Sequence, residues 1–376
     1  MPELTFLGPD LAGTVPPEAA VPGKVSAAQL RAAPLARLLD YGLVPADALA
    51  LRDFAGRGWP WHAVGLSIAR AHLAASDATA AGPFPATASR HLLAATVSAN
   101  VAQLMMAGNS EERRGIYQLS MNARDRWLAT QGDRAGHLTV ADGSGELSVV
   151  YLRPPVVERS PIVAVWGGTS GWGIVFRRCA QALLDAGLSV ALVELPGQGG
   201  PRLLSGSVLG PGFYEVADRL VGALGNAWFS TGRVGIWGLS VGGLLAAQAA
   251  SHVRVSACCV TSGPARPSAL VTQYSRQRQL WLDMLGLPAS PADGGDGAVA
   301  AFDFGAEQRI SCPVLVVHGG QDPLVSDADR ALFTEAGAAP STSVTWADAE
   351  HCVYGRAQER DDVVASWFRH VLGCAP

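Results

Sequence analysis

The chain has 376 residues, 49% of them hydrophobic and 16% charged, with a formal net charge of −4. That balance provides for a large packed core and argues against global disorder. It carries no basic block, so the electrostatic footprint of a nucleic-acid binder is missing, and no charged tail calls for an oppositely charged partner.

The opening residues MPELTFLGPD lack the basic start and apolar run of a secretory signal. No stretch approaches 18 uninterrupted apolar residues, so no membrane span is expected. The six cysteines, Cys179, Cys258, Cys259, Cys312, Cys352 and Cys374, form no CxxC pair and no disulfide framework. Reduced thiols in a cytoplasmic protein are the simplest reading. Cys352, beside His351, is read as packing, with a chemical role as the minor alternative.

Residues 1–135 are rich in alanine and helical in pattern. Leu30, Leu35, Leu38 and Leu39 fall at helical spacings. So do Val64, Ile68, Ala71 and Leu73, and then Leu92, Leu93, Val97, Val101 and Leu104. Breaks at Gly82-Pro83 and Pro85 separate these pieces. Residues 113–128 read as a further helix, making four or five in all and no strand.

The texture changes near residue 137. Residues 137–140 and 147–152 alternate like strands around Asp142-Gly143-Ser144-Gly145, which predicts a hairpin. Short apolar runs of the buried parallel type follow at 162–166, 190–193, 234–237, 255–260 and 314–317. Helical patterns alternate with them at 176–186, 215–224, 241–251 and 327–336. A last strand at 343–346 and a helix at 361–372 close the chain. This alternation predicts an α/β protein: a mostly parallel sheet with helices on both faces, preceded by an all-helical region. The predicted domains are 1–135 and 136–376. Residues 288–300, rich in Gly, Asp, Pro and Ala, read as a surface loop.

The chemistry centres on Gly238-Leu239-Ser240-Val241-Gly242. In a chain with 43 glycines the five letters alone are weak. Their setting is stronger, because the motif leaves the apolar run 234–237 and enters an Ala/Leu-rich helix, the strand–turn–helix that a nucleophile elbow needs. Ser240 then sits at a helix N-terminus, where free amides favour a developing anion. A serine hydroxyl needs a base to take its proton. Of the eight histidines, His62, His72, His91 and His137 precede the parallel strands. His252 ends the helix after Ser240, His318 follows the run 314–317, and His370 lies in the closing helix. His351 lies in the loop after the last strand, at the carboxyl edge of the sheet, and is the expected base.

The acid that orients the imidazole is restricted by the sequence. Between Asp218 and Asp283 there is no Asp or Glu. Asp322, in Gly320-Gln321-Asp322-Pro323, is the expected acid, and Asp327 the expected cap of the next helix. The order Ser240, Asp322, His351 is that of α/β-hydrolases. An oxyanion hole needs two backbone N–H groups. Val241 is one candidate. Thr169, in Gly167-Gly168-Thr169-Ser170-Gly171-Trp172, is the second, with Gly168 as the alternative. Glu194 either contacts substrate or holds the Pro196-Gly197-Gln198-Gly199 turn. Trp166, Trp172 and Trp237 crowd these elements, as core by default, with Trp172 and Trp237 also candidates for an apolar pocket. No metal-ligand set and no cofactor motif accompanies the triad.

From Gly167-Gly168, Pro196-Gly197-Gln198-Gly199, GLSVGG, Gly320-Gln321-Asp322-Pro323 and Glu350-His351, the second half resembles α/β-hydrolases. With Tyr41-Gly42 and Arg57-Gly58-Trp59 to Trp61 added, residues 30–370 resemble a branch with an N-terminal helical cap. That branch includes 2,6-dihydroxypseudooxynicotine hydrolases, fermentation-respiration-switch-like proteins and polyketide-shortening hydrolases. The resemblance implies an α/β-hydrolase fold with the helical region as a lid, a small-molecule substrate, a place in natural-product metabolism and a homodimer. It also implies cleavage of an ester or of a C–C bond in an acyl-aromatic or β-dicarbonyl compound. Members that cleave C–C bonds can carry a second carboxylate after the strand that follows the nucleophile helix. Residues 255–282 have none, which favours an ester or acyl substrate. The expectation is therefore a serine hydrolase acting on a bulky, largely apolar small molecule. The alternative is acyl elimination, lyase or cyclase chemistry at the same three residues, and a non-catalytic ligand receptor is the third reading.

Overall fold

The computed structural model describes residues 24–80, 82–143, 145–290, 295–337 and 341–373. The first 23 residues, on which the expectation about a leader rests, lie outside these, as does Ser144 of the expected turn. The chain divides after Asp133 into two compact units. The division falls two residues before the sequence-based boundary because Ala135 already begins the first strand. Among the described residues no helix is long and apolar enough to cross a membrane.

The first unit contains, among the described residues, α1 (Lys24–Ala32), α2 (Leu35–Asp40), α3 (Pro45–Gly56), α4 (Trp61–Ala80), α5 (Pro85–Ala102) and α6 (Glu111–Ala129). Prolines set several boundaries. Pro34 separates α1 from α2 within the leucine series, and Pro45 and Pro85 open α3 and α5 at positions where no N–H is needed. The pair α4 and α5 packs closely: a Cβ on Gly65 would lie 2.8 Å from the Cβ of Ala102. Trp61 Nε1 donates to Val101 O at 2.9 Å across the same pair. Ser110 caps α6 by accepting from Arg113 N, and Ser120 Oγ donates to Thr96 O of α5.

The second unit begins with the hairpin β1 (Ala135–Leu138) and β2 (Ser148–Leu152), paired antiparallel with His137 opposite Val150. It continues with β3 (Ser160–Trp166), α7 (Arg177–Asp185), β4 (Ser189–Glu194), α8 (Gly199–Leu203), α9 (Phe213–Gly225), β5 (Ser230–Leu239), α10 (Val241–His252) and β6 (Ala257–Thr261). After these come α11 (Pro267–Gln273), α12 (Ser275–Met284), α13 (Asp296–Ala300), β7 (Val314–Gly319), α14 (Asp327–Ala336), β8 (Ser341–Trp346) and α15 (Ala357–Val371). The strand order is β1-β2-β4-β3-β5-β6-β7-β8. The β1–β2 and β2–β4 pairs are antiparallel, and every pairing from β4 through β3 to β8 is parallel.

Side chains alternate across the pleat, so each central strand feeds two cores. Ile162, Ala164, Trp166, Val234, Ile236, Cys258 and Val260 join α9 and α10 in one cluster. On the other face a Cβ on Gly235 would meet the Phe368 ring of α15 at 2.7 Å. Burial on both faces is why these strands read as unbroken apolar runs.

Three local expectations are corrected. Helices α11 and α12 occupy a stretch where periodicity marked nothing. Within the expected loop at 288–300, residues Asp296–Ala300 form a short helix anchored by buried Val299; residues 291–294 lie outside the described set. The cap of α14 is Ser326, not Asp327: Ser326 Oγ accepts from Asp329 N, and the Asp329 carboxylate accepts from Ser326 N.

Candidate active site

The parallel strands end on one edge, and their loops carry the candidate residues. Strand β5 runs into α10 through Ser240, whose φ of 59° and ψ of −132° are strained for a residue with a side chain. The flanking glycines are required by space. A Cβ on Gly238 would lie 1.9 Å from Gly242 O, and one on Gly242 would lie 2.4 Å from Gly167 O. The tight turn is held by Ser240 N donating to Thr261 O at 2.8 Å.

His351 Nε2 lies 2.9 Å from Ser240 Oγ, and His351 Nδ1 lies 2.8 Å from Asp322 Oδ2. The Asp322 side chain is fully buried, and that of His351 is 17% exposed. Asp322 also accepts from Leu324 N at 2.8 Å. Burial opposes the Asp322 charge, but His351 and the hydrogen bonds outweigh it and hold the carboxyl below its ordinary value. Burial likewise opposes an imidazolium at His351. The neighbouring Cys352 and the Asp322 carboxylate outweigh it, so the imidazole titrates above the ordinary histidine range. The structure thus brings together three residues that lie after β5, β7 and β8.

The loop after β3 passes directly beside the serine. A Cβ on Gly168 would come within 3.0 Å of Ser240 Cβ, 3.1 Å of Ser240 Oγ and 3.1 Å of Val241 N. The Gly168 carbonyl accepts from Trp172 Nε1 at 3.1 Å and from Gln198 Nε2 at 3.0 Å. Gln198 Nε2 also donates to Gly167 O at 2.7 Å. In a trans peptide the N–H points opposite the preceding C=O. Fixing the Gly167 and Gly168 carbonyls therefore aims the Gly168 and Thr169 amides the other way. Among the described residues neither amide has a backbone acceptor.

The remaining candidates are placed as follows. Trp172 is buried, with its indole on the Gly168 carbonyl, so it braces the loop. Trp237 is fully buried in β5, donates to Thr261 Oγ1 at 2.9 Å and lies under the Arg360 guanidinium, which fits the default core reading and not the alternative pocket one. Glu194 is buried, and its Oε2 accepts from Gly200 N at 2.8 Å. The Glu194 carboxylate is enclosed so closely that a Cβ on Gly199 would lie 2.1 Å from it. Of the two roles expected for Glu194, this geometry fits holding the turn that leads into α8.

Sequence reasoning missed Gln198, Arg360 and Ser262. Gln198 is fully buried, and its Oε1 accepts from Leu195 N at 2.9 Å, so one amide ties its own turn to the loop after β3. Its signal was present as the third letter of Pro196-Gly197-Gln198-Gly199. Arg360, fully buried in α15, donates to the Cys352 carbonyl at 2.8 Å and to the Asp361 carboxylate at 2.7 Å. Nothing in the local sequence marks Arg360 or Ser262.

No family model matches the chain, and no curated protein matches it. Among solved structures the chain is similar to the 2,6-dihydroxy-pseudo-oxynicotine hydrolase, with a TM-score of 0.79 and 20% identity over 90% of this chain and 95% of that one. It is also similar to wild-type AbyA5, with a TM-score of 0.66 and 17% identity over 90% and 99% of the two chains. A second AbyA5 structure gives a TM-score of 0.60 at 17% identity over 80% and 92%. At these identities the likeness is one of fold. With its mostly parallel eight-stranded sheet, its helices and the serine between β5 and α10, the chain has the α/β-hydrolase fold.

Proposed function

We propose that the protein is a serine hydrolase that cleaves an ester or activated acyl group of a bulky, largely apolar small molecule. The observation that carries this reading is the continuous contact from Ser240 Oγ through His351 to Asp322, at 2.9 and 2.8 Å, with the serine on a strained elbow. His351 Nε2 takes the proton as Ser240 Oγ attacks the carbonyl carbon. Asp322 fixes the tautomer and stabilises the imidazolium. The charge that develops on the carbonyl oxygen is met by the Val241 amide and by that of Thr169, with Gly168 beside it. His351 returns the proton to the leaving group, and water then releases the acyl group by the same route.

A small-molecule substrate is supported by the similar solved structure, which is named as a hydrolase of 2,6-dihydroxy-pseudo-oxynicotine. Ester or acyl cleavage is preferred over C–C cleavage because no carboxylate lies in the loop that leaves β6, with none before Asp283; Ser262 stands directly after the strand. The test is labelling with a fluorophosphonate probe, followed by peptide mapping. The expected result is one labelled residue, Ser240, and no labelling in Ser240→Ala or His351→Ala. A wild-type protein that stays unlabelled while folded would overturn the reading.

A further inference from the structure

Among the described residues, four non-glycine positions have positive φ: Ser240, Ser262, Cys352 and Val353. Such backbone is strained, most of all for a β-branched residue such as Val353, and it persists only where surrounding contacts over-determine it. All four belong to one cluster. Ser240 is the elbow. Cys352 and Val353, at φ 59° and 57°, form the turn immediately after His351. Ser262, at φ 47°, follows β6 and lies between the two loops that supply Asp322 and His351.

Ser262 is almost fully buried and tied at two points. Its N–H donates to Val317 O of β7 at 2.9 Å. Its Oγ accepts from Cys352 N at 2.9 Å. Having accepted there, the hydroxyl retains one proton to donate. The Ser262 side chain is also among the groups that favour the charged form of the Asp322 carboxyl. The peptide that Ser262 grips on one side is gripped on the other by Arg360, which donates to Cys352 O.

We propose that Ser262 is a positioning residue that couples the acid to the base: it ties β7, the strand that leads to Asp322, to the strained turn that aims His351 at Ser240. The inference rests on the serine-hydrolase reading above. It explains why a non-glycine residue tolerates the left-handed region after β6, where glycine would be free of strain. Ser262→Gly removes both the strain and the hydroxyl, whereas Ser262→Ala keeps the strain and removes only the hydroxyl.

The experiment measures the second-order rate of fluorophosphonate labelling at Ser240 against pH, together with thermal unfolding, for wild type, Ser262→Gly and Ser262→Ala. The expected result is a labelling rate lowered about tenfold or more in both variants, although Ser262→Gly unfolds at a higher temperature than Ser262→Ala. Losing a group that favours the Asp322 charge makes that carboxylate more basic and strengthens its hold on the His351 proton. The rising limb of the pH profile therefore moves to higher pH in both. A purely structural Ser262 would make labelling follow stability, and Ser262→Gly would then label at the wild-type rate on an unshifted profile. That result, with wild type labelled, overturns the role of Ser262 alone. Failure of the folded wild-type protein to label overturns the hydrolase reading beneath it.

Discussion

Replacing Gln198 by methionine isolates the hydrogen bonds of one buried amide, because the two side chains are nearly equal in length and volume. Methionine removes the acceptor for Leu195 N and the donor to Gly167 O and Gly168 O. Each buried backbone group left without a partner costs about 1–3 kcal/mol. The Gly168 carbonyl is discounted, because Trp172 Nε1 still donates to it. Two groups then remain, for a loss of about 2–6 kcal/mol. For a unit of this size that corresponds to a fall in Tm of roughly 4–24 °C. The same change frees the Gly167 carbonyl, which aims the Gly168 amide, and leaves the Gly168 carbonyl, which aims that of Thr169, on Trp172 alone, so labelling of Ser240 is expected to slow by about tenfold or more. Scanning calorimetry and probe kinetics on one preparation give both quantities. A Gln198→Met protein that melts within about 2 °C of wild type and labels at the wild-type rate would refute the bracing role assigned to the amide.

Gly168→Ala is expected to separate activity from stability. Its Cβ would press on Ser240 Cβ and Oγ at 3.0 and 3.1 Å, contacts that a small shift relieves. A loss of at most about 1–3 kcal/mol in urea unfolding should therefore accompany an about 100-fold fall in labelling rate. Asp322→Asn removes a carboxylate whose folded-state pKa is depressed. Such a group contributes stability above its unfolded pKa of about 4 and loses that contribution as pH falls through the lower folded value. The stability gap between wild type and Asp322→Asn should thus be full at neutral pH and close in acid, as measured by urea unfolding across pH. The same variant should label about 10⁴-fold more slowly, because asparagine favours the wrong imidazole tautomer.

The sequence by itself determined the layered sheet, the elbow and the order of the three candidate catalytic residues. Apolar runs such as 162–166 and 234–237 are legible because strands buried on both faces need no polar alternation. Ser240 is legible because a tight strand-to-helix turn demands glycine on either side, and Gly238 and Gly242 indeed lack space for a Cβ. Asp322 and His351 could be named because few acids and histidines follow strands at the right edge. Local rules left Glu194 and Trp237 between two roles, and only their partners, Gly200 N and Thr261 Oγ1, put the first in a turn and the second in the core. Only the tertiary structure decided what holds the site. Gln198, Ser262 and Arg360 act on backbone 30, 90 and 8 residues away, at Gly168, Cys352 and Cys352 respectively. A buried hydrogen bond between distant loops imposes no periodicity and no composition on either, so it leaves no local trace until the chain has folded around it.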